Sequence, residues 1–570
     1  MPPGQPPYGP PPGADYAAFG GGQGPKPRNT KKWLIGGGSV VAAAALIGGG
    51  AFAAASLLGG DGAGDQPAEA LPNTTFAYAS VDLSDLNDAF QMLAKFPAVT
   101  KDADLGSLTK GGGDPREKIV KAILDDEDGD FCGGLTWEKD FAPWLGQKAA
   151  VAGVDVDDSP RPVVVVQVKD ADAAQKAFDK FNGCDDSSDD AAYSISGDWA
   201  LLGQDQKAVN EIAKEAGSSS LADDKDYKNW TGQIGDQGVM TLYASPKAGE
   251  LIGKAIKKYP SMLGDLTGQG GIPSSPSGDD SGWAAGPEDQ GDGGVPSSPE
   301  NLLNSCSGLF SSASGAADYY EKAFANFGGG AATVRFSDGG VELESAVDSG
   351  KTSSASDDAA GLVTSLPSDT AAAVGVSVGD HPVESALDSL AAICGSGFDV
   401  SSLEKQISQM TGLDFPTDLD TLLGDGVAVS VGGDFDPSAI NNPADLPAAI
   451  KVKGDPDEIE KVVGKISDSL GGASGVLGTD KDGDDIAIGP NATYRKAVLG
   501  DGGLEGDKTF KNVVPHADKS SVIVYVNFND FDKLVGSGED AENFKVLDGL
   551  GISAWTDGTT QHAFARLSTD

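Results

Sequence analysis

Six segments of this 570-residue chain occur twice in the same order, and an internal repeat of that size restricts the fold more than any single motif does. Leu71-Pro72 leads into TFAYASVDL, and Leu366-Pro367 leads into TAAAVGVSVGD. Trp144-Leu145-Gly146 precedes KAAVAGVDV, and Leu422-Leu423-Gly424 precedes GVAVSVGGDF. PVVVVQVKDADAAQKAFDKF (162–181) matches PAAIKVKGDPDEIEKVVGKI (447–466), each reading as a buried strand, a turn and an amphipathic helix. Asp224, Tyr227, Lys228 and Asn229 of one D-K-x-[FY]-K-N segment match Asp507, Phe510, Lys511 and Asn512 of the other. VMTLYA at 239 matches VIVYVN at 522. TVRFSDGGVELESA (333–346) matches GISAWTDGTTQHAFA (551–565), each a hairpin around Asp-Gly.

The alternation of strands, helices and hairpins predicts an α+β ectodomain of two duplicated units. Their sheets are expected to be mainly antiparallel or mixed, with helices packed on one face. The first unit spans 71–348 and the second 366–570, with a linker at 349–365. Each is long enough to bury its own core. The two are expected to pack about a pseudo-twofold axis with a groove between them. Residues 264–300, rich in Gly, Ser and Pro, read as a disordered insert.

The chain has 41 Lys+Arg against 86 Asp+Glu, a formal net charge of −45. Such a surface repels phosphate backbones, which excludes nucleic-acid binding for the bulk of the chain and disfavours docking on anionic lipid. Charge is distributed unevenly. Residues 1–33 form a Pro/Gly-rich tail, expected to be disordered, whose end is basic: Lys26, Arg28, Lys31 and Lys32. Residues 34–58 carry no charge and are long enough to span a bilayer as a helix. The positive side stays inside. The expectation is therefore a single-pass plasma-membrane protein with a cytoplasmic N-terminus, a linker at 59–70 and an acidic extracytoplasmic domain. A cleaved signal peptide, with Ala51-Phe52-Ala53 or Ala53-Ala54-Ala55 as the processing site, is the rival reading.

Four cysteines, Cys132, Cys184, Cys306 and Cys394, suit disulfides in an exported chain. Four allow three connectivities; sequential pairing, Cys132–Cys184 and Cys306–Cys394, closes the shorter loops. The search for chemistry yields little. His381, His516 and His562 lie too far apart in sequence for a zinc motif, and no G-x-S-x-G occurs. Ser402-Leu403-Glu404-Lys405 matches S-x-x-K without its companion motifs. The acidic runs 125–130 and 480–485 fail the EF-hand spacing and read as solvated turns. No catalytic residue, metal ligand or cofactor is expected. The twice-used D-K-x-[FY]-K-N segment is the best candidate for a shared role, and its competing reading is an aromatic residue anchoring a short helix on the sheet with the Asn capping a turn.

Several of these features come together in one known pattern. The Pro/Gly-rich tail, Lys31-Lys32-Trp33 before one Gly/Ala helix, Gln66-Pro67-Ala68-Glu69-Ala70-Leu71-Pro72 and Pro143-Trp144-Leu145-Gly146 resemble an actinobacterial membrane-anchored domain-of-unknown-function family (number 3352). The resemblance covers about residues 67–570 and implies anchoring, export and a two-copy organisation; it carries no activity, cofactor or catalytic residue. The functional expectation is a cell-envelope protein whose ectodomain binds or scaffolds an envelope or cell-wall partner without catalysis. The alternatives are an envelope hydrolase using carboxylates and a transmembrane signalling or regulatory protein with the tail as output.

Overall fold

The computed structural model describes residues 66–84, 114, 116–117, 120, 135–182, 192–258, 324–337, 339–350, 358–379, 381–394, 400–433, 440, 442–469, 477–531 and 545–569. Among them no helix is long and apolar enough to cross a membrane. The expected tail, membrane helix 34–58 and insert 264–300 lie outside the described residues.

The strands of the first half are β1 (Thr75–Asp82), β2 (Leu145–Val156), β3 (Ser159–Val168), β4 (Ala192–Ser196), β5 (Trp199–Gly203), β6 (Met240–Ala244), β7 (Gly329–Ser337) and β8 (Gly340–Asp348). Those of the second are β9 (Thr370–Ser377), β10 (Gly426–Gly432), β11 (Ala448–Lys453), β12 (Gly478–Asp482), β13 (Asp485–Gly489), β14 (Val522–Asn527), β15 (Leu547–Asp557) and β16 (Thr560–Thr569). All pairings are antiparallel, and together they make one 16-stranded sheet. Outward from the centre the order is β8-β7-β6-β1-β2-β3-β5-β4 on one side and β16-β15-β14-β9-β10-β11-β13-β12 on the other. Strand positions are therefore the same in both directions. The junction is a β8–β16 ladder running from Asp348↔Thr560 to Gly340↔Ser568. The halves are thus joined edge to edge by backbone hydrogen bonds, a tighter connection than the packing expected from sequence.

Local chemistry accounts for the turns. The hairpins β7–β8 and β15–β16 turn at Gly339 and Gly558, whose φ values of 77° and 64° suit glycine. The β2–β3 turn uses Asp157 and Asp158 at φ 51° and 57°, the left-handed pair of a type I′ turn. The two Leu-Pro leads also adopt one geometry. Thr75 Oγ1 donates to the Pro72 carbonyl and Thr370 Oγ1 to the Pro367 carbonyl, each at 2.7 Å. Pro72 bridges to Ser220, and Pro367 bridges to Gly503.

Helices cover both faces of the sheet. In the first half these are α1 (Ala171–Asn182), α2 (Gln206–Ala216), α3 (Lys225–Thr231) and α4 (Ala248–Lys258). In the second half they are α5 (Asp358–Thr364), α6 (Pro382–Cys394), α7 (Val400–Thr411), α8 (Thr417–Leu423), α9 (Pro456–Ser469), α10 (Ala492–Leu499) and α11 (Lys508–Val513). On one face, Val209 and Ile212 of α2 and Tyr227 and Trp230 of α3 pack on Tyr78, Ala152, Val165 and Tyr243. There too, Val363 of α5, Val498 of α10 and Phe510 of α11 pack on Ala373, Ala428 and Tyr525. We call this face A. On the opposite face B, α1 packs Ala174 and Phe178 on Val168 and Ala200, and α4 packs Leu251 and Ile252 on Ala77, Ala79 and Leu242. Also on face B, α9 packs Ile459 and Val463 on Val452, Ile486 and Ile488.

Two expectations need correction. Helices do not keep to one face, because β1 is buried along nearly all of its length and strands apolar on both faces need cover on both. The linkers are also shorter than expected. Residues 358–364 form α5, whose Ala359 and Val363 are fully buried, and Pro67–Ala70 form a 3-10 turn with Ala68 buried.

Candidate functional site

The shared D-K-x-[FY]-K-N segment forms a capped, anchored helix in both halves. Asp224 accepts hydrogen bonds from the backbone N–H of Asp226 and Tyr227 and starts α3; Asp507 accepts from that of Phe510 and starts α11. Such a cap satisfies N–H groups that the first helical turn leaves unpaired. Tyr227 sits edge-on to Tyr78 and Tyr243, with ring centroids 5.8 and 5.2 Å away. Phe510 meets Tyr525 in the same way at 5.1 Å. Burial pushes the Tyr227 hydroxyl pKa up to about 12. Lys228 pairs at the surface with Asp223 at 3.0 Å, while Lys511 and Asn229 are exposed and Asn512 half-buried. The segment holds a helix on the sheet, and Asp rather than Asn supplies the cap.

Cys132, Cys184 and Cys306 lie outside the described residues, as does the Cys394 side chain at the end of α6, so both expected pairings fall outside them. The acidic run 125–130 also lies outside. The run 480–485 is the β12–β13 hairpin, where Asp480 pairs with Arg495 at 2.9 Å and Asp485 with Lys451 at 3.2 Å. Ser402 and Lys405 lie on α7.

Chemistry-bearing side chains converge instead on face A at the β8–β16 seam. Arg335 of β7 bonds Glu342 at 2.8 Å, bonds Glu344, and donates to the Ile234 carbonyl at 2.8 Å. Glu342 also pairs with Arg566 of β16 at 3.0 Å, so one carboxylate ties β7, β8 and β16 together. Across the seam the corresponding positions are aromatic. Arg335 is the cross-strand partner of Glu342, and Trp555 is that of His562. The Trp555 and His562 rings stack 5.0 Å apart with planes 3° from parallel. His516 approaches Trp555 at 4.6 Å and Phe564 at 5.6 Å, and Lys519 Nζ lies 4.1 Å from the Trp555 ring centre.

Two of the three histidines thus meet one tryptophan. Burial lowers both imidazole pKa values. Lys519 lowers both further, against the opposing pull of Glu344 on each, of Asp518 on His516 and of Asp557 on His562; His516 itself also lowers His562. The cluster therefore favours neutral imidazoles beside a lysine cation. A reading of the chain as a line missed it. The Arg335–Glu342 pairing is implied by their symmetric placement about the Asp-Gly turn, but no local signal brings His516 to His562.

A second surface lies on face B of the second half. Ile450, Val429 and Val374 are cross-strand neighbours and are 37%, 46% and 44% exposed. Val374 continues the row to Val524 and Ile552. The equivalent strands of the first half carry Ala79, Leu242 and Ala332 under α4. The first-half row continues through Val151 and Val164, so it is the packing of α4, and not residue size alone, that separates the two rows; among the described residues no helix covers Val374, Val429 and Ile450. A cleft of about 290 Å³ lies elsewhere, lined in part by Glu69, Asp198, Trp199 and Ala213. No family model, no curated protein and no solved structure matches this chain.

Proposed function

We propose that this is a single-pass cell-envelope protein whose extracytoplasmic domain, built from two copies of one unit, binds or scaffolds an envelope partner without catalysis. Residues 34–58 anchor it, residues 1–33 stay inside, and the cysteines pair outside the cell. Kinship with the actinobacterial anchored family accords with this reading and rests on the short motifs alone. The carrying observation is the open row Val374, Val429 and Ile450 on a broad, hydrogen-bonded sheet. Contiguous exposed apolar side chains are what a partner-binding face displays. The matching strand order on either side of the seam supports the duplication.

The test is in-cell photocrosslinking of the full-length protein from position 429, with a control crosslinker at the exposed Asn229 on the other face. The expected result is an envelope protein captured from 429 alone and lost with Val374→Glu. Equal capture from both positions, or capture that Val374→Glu leaves unchanged, overturns the reading.

A further inference from the structure

A 16-stranded sheet has two ends, and an unprotected end is a template for another strand. The end at β12 carries Asp480, Lys481 and Asp482, with Lys481 paired to Asp457 at 2.7 Å and Glu460 at 2.8 Å. Charges of this density repel an incoming strand. The end at β4 has the opposite character. Its sequence, AYSIS, is uncharged and free of proline, and its Tyr193 and Ile195 favour strands. It is the outermost strand on its side among the described residues.

Pairing with β5 fixes which groups of β4 point outward. Ser196 and Trp199 close the hairpin, so Ser196, Ser194 and Ala192 bond across to β5, while Tyr193 and Ile195 present their N–H and C=O groups to the open side. There the Tyr193 backbone meets a side-chain amide. Its N–H donates to Gln206 Oε1 at 3.2 Å, and its carbonyl accepts from Gln206 Nε2 at 2.8 Å. Nε2 also donates to Asn210 Oδ1 at 2.9 Å, which orients the amide in that sense. Gln206 is the first residue of α2, and Asp205 caps that helix by accepting from the Ala208 N–H at 2.8 Å, so the amide is held on a rigid element.

We infer that Gln206 is an edge cap: its amide takes the donor and the acceptor that an added strand would use, and without it β4 accepts β4 of a second copy of this chain. A primary amide presents one N–H and its C=O toward the same side, as the N–H and C=O of one strand residue do, so one side chain takes the place of one residue of a neighbouring strand. A second β4 is the fitting occupant because uncharged AYSIS pairs with itself about a twofold axis, while the charged β12 end does not.

The test compares the full-length chain with Gln206→Ala and Gln206→Glu by sedimentation over a hundredfold concentration range, with amide exchange followed at Tyr193. In the wild type, mass is expected to be independent of concentration and the Tyr193 amide protected. Gln206→Ala is expected to lose that protection at low concentration and to double in mass at high concentration. Gln206→Glu keeps the acceptor and lacks the donor, so it should fall between. Adding Ser196→Lys to Gln206→Ala should restore the wild-type mass by placing a charge on the edge. Continued Tyr193 protection in Gln206→Ala, an unchanged mass, or association that Ser196→Lys does not reverse would each overturn the cap.

Discussion

At the scale of residues, His516 and His562 show how burial and a neighbouring cation set a titration. Both have folded pKa values below the ordinary histidine value, so the folded state binds fewer protons than the unfolded chain. Their contribution to stability is complete above the unfolded pKa, about 6.5. It is lost as the pH falls below that value and through the lowered folded values. Urea midpoints should therefore drop between pH 7.5 and 5.5, and the drop should shrink in a His516→Gln/His562→Gln variant. An equal drop in that variant would place the titration elsewhere. The carboxylates with lowered pKa values, such as Asp418 held by Lys465 against its own burial, titrate below this window.

At the scale of elements, short helices depend on the close approach of the strands beneath them. A Cβ on Gly551 of β15 would lie 2.1 Å from the Val513 carbonyl oxygen at the end of α11. Backbone cannot yield as a flexible side chain does. Gly551→Ala is expected to destabilise by about 1–3 kcal/mol, the range of overpacked sites, and chemical denaturation measures it. Its effect should concentrate in the exchange of α11 amides and spare α3. Part of this level was legible in the sequence: the aromatic anchor and the Asp-Gly hairpins announce themselves within a few residues, whereas the cap, read at the Asn, lies at Asp224 and Asp507. The helix at 358–364 was missed because its DAAGLVT stretch is short and follows a polar segment, so its burial depends on Gly375 of β9 making room for Val363.

At the scale of the molecule, two apolar cores on face A flank a polar seam, and one carboxylate spans it. Removing Glu342 leaves Arg335 and Arg566 short of a buried anionic partner, and breaking such a pair from one side costs about 3–5 kcal/mol. Glu342→Ala should therefore speed exchange along β8 and β16 before it affects β2 or β10. Uniform exchange across the sheet would mean that the seam is no weaker than the cores.

By itself the sequence determined the repeat, the strand–turn–helix segments that recur in it, the aromatic anchors and the Asp-Gly hairpins. Each depends on residues a few positions apart, through side-chain period, backbone conformation or a local hydrogen bond. Only the tertiary structure decided that β8 pairs with β16, that helices cover both faces, that two distant histidines share one tryptophan, and that Gln206 closes the edge at β4. These features depend on which strand lies beside which. That is settled when distant segments bury apolar surface and satisfy backbone hydrogen bonds together, and no short stretch of chain records it.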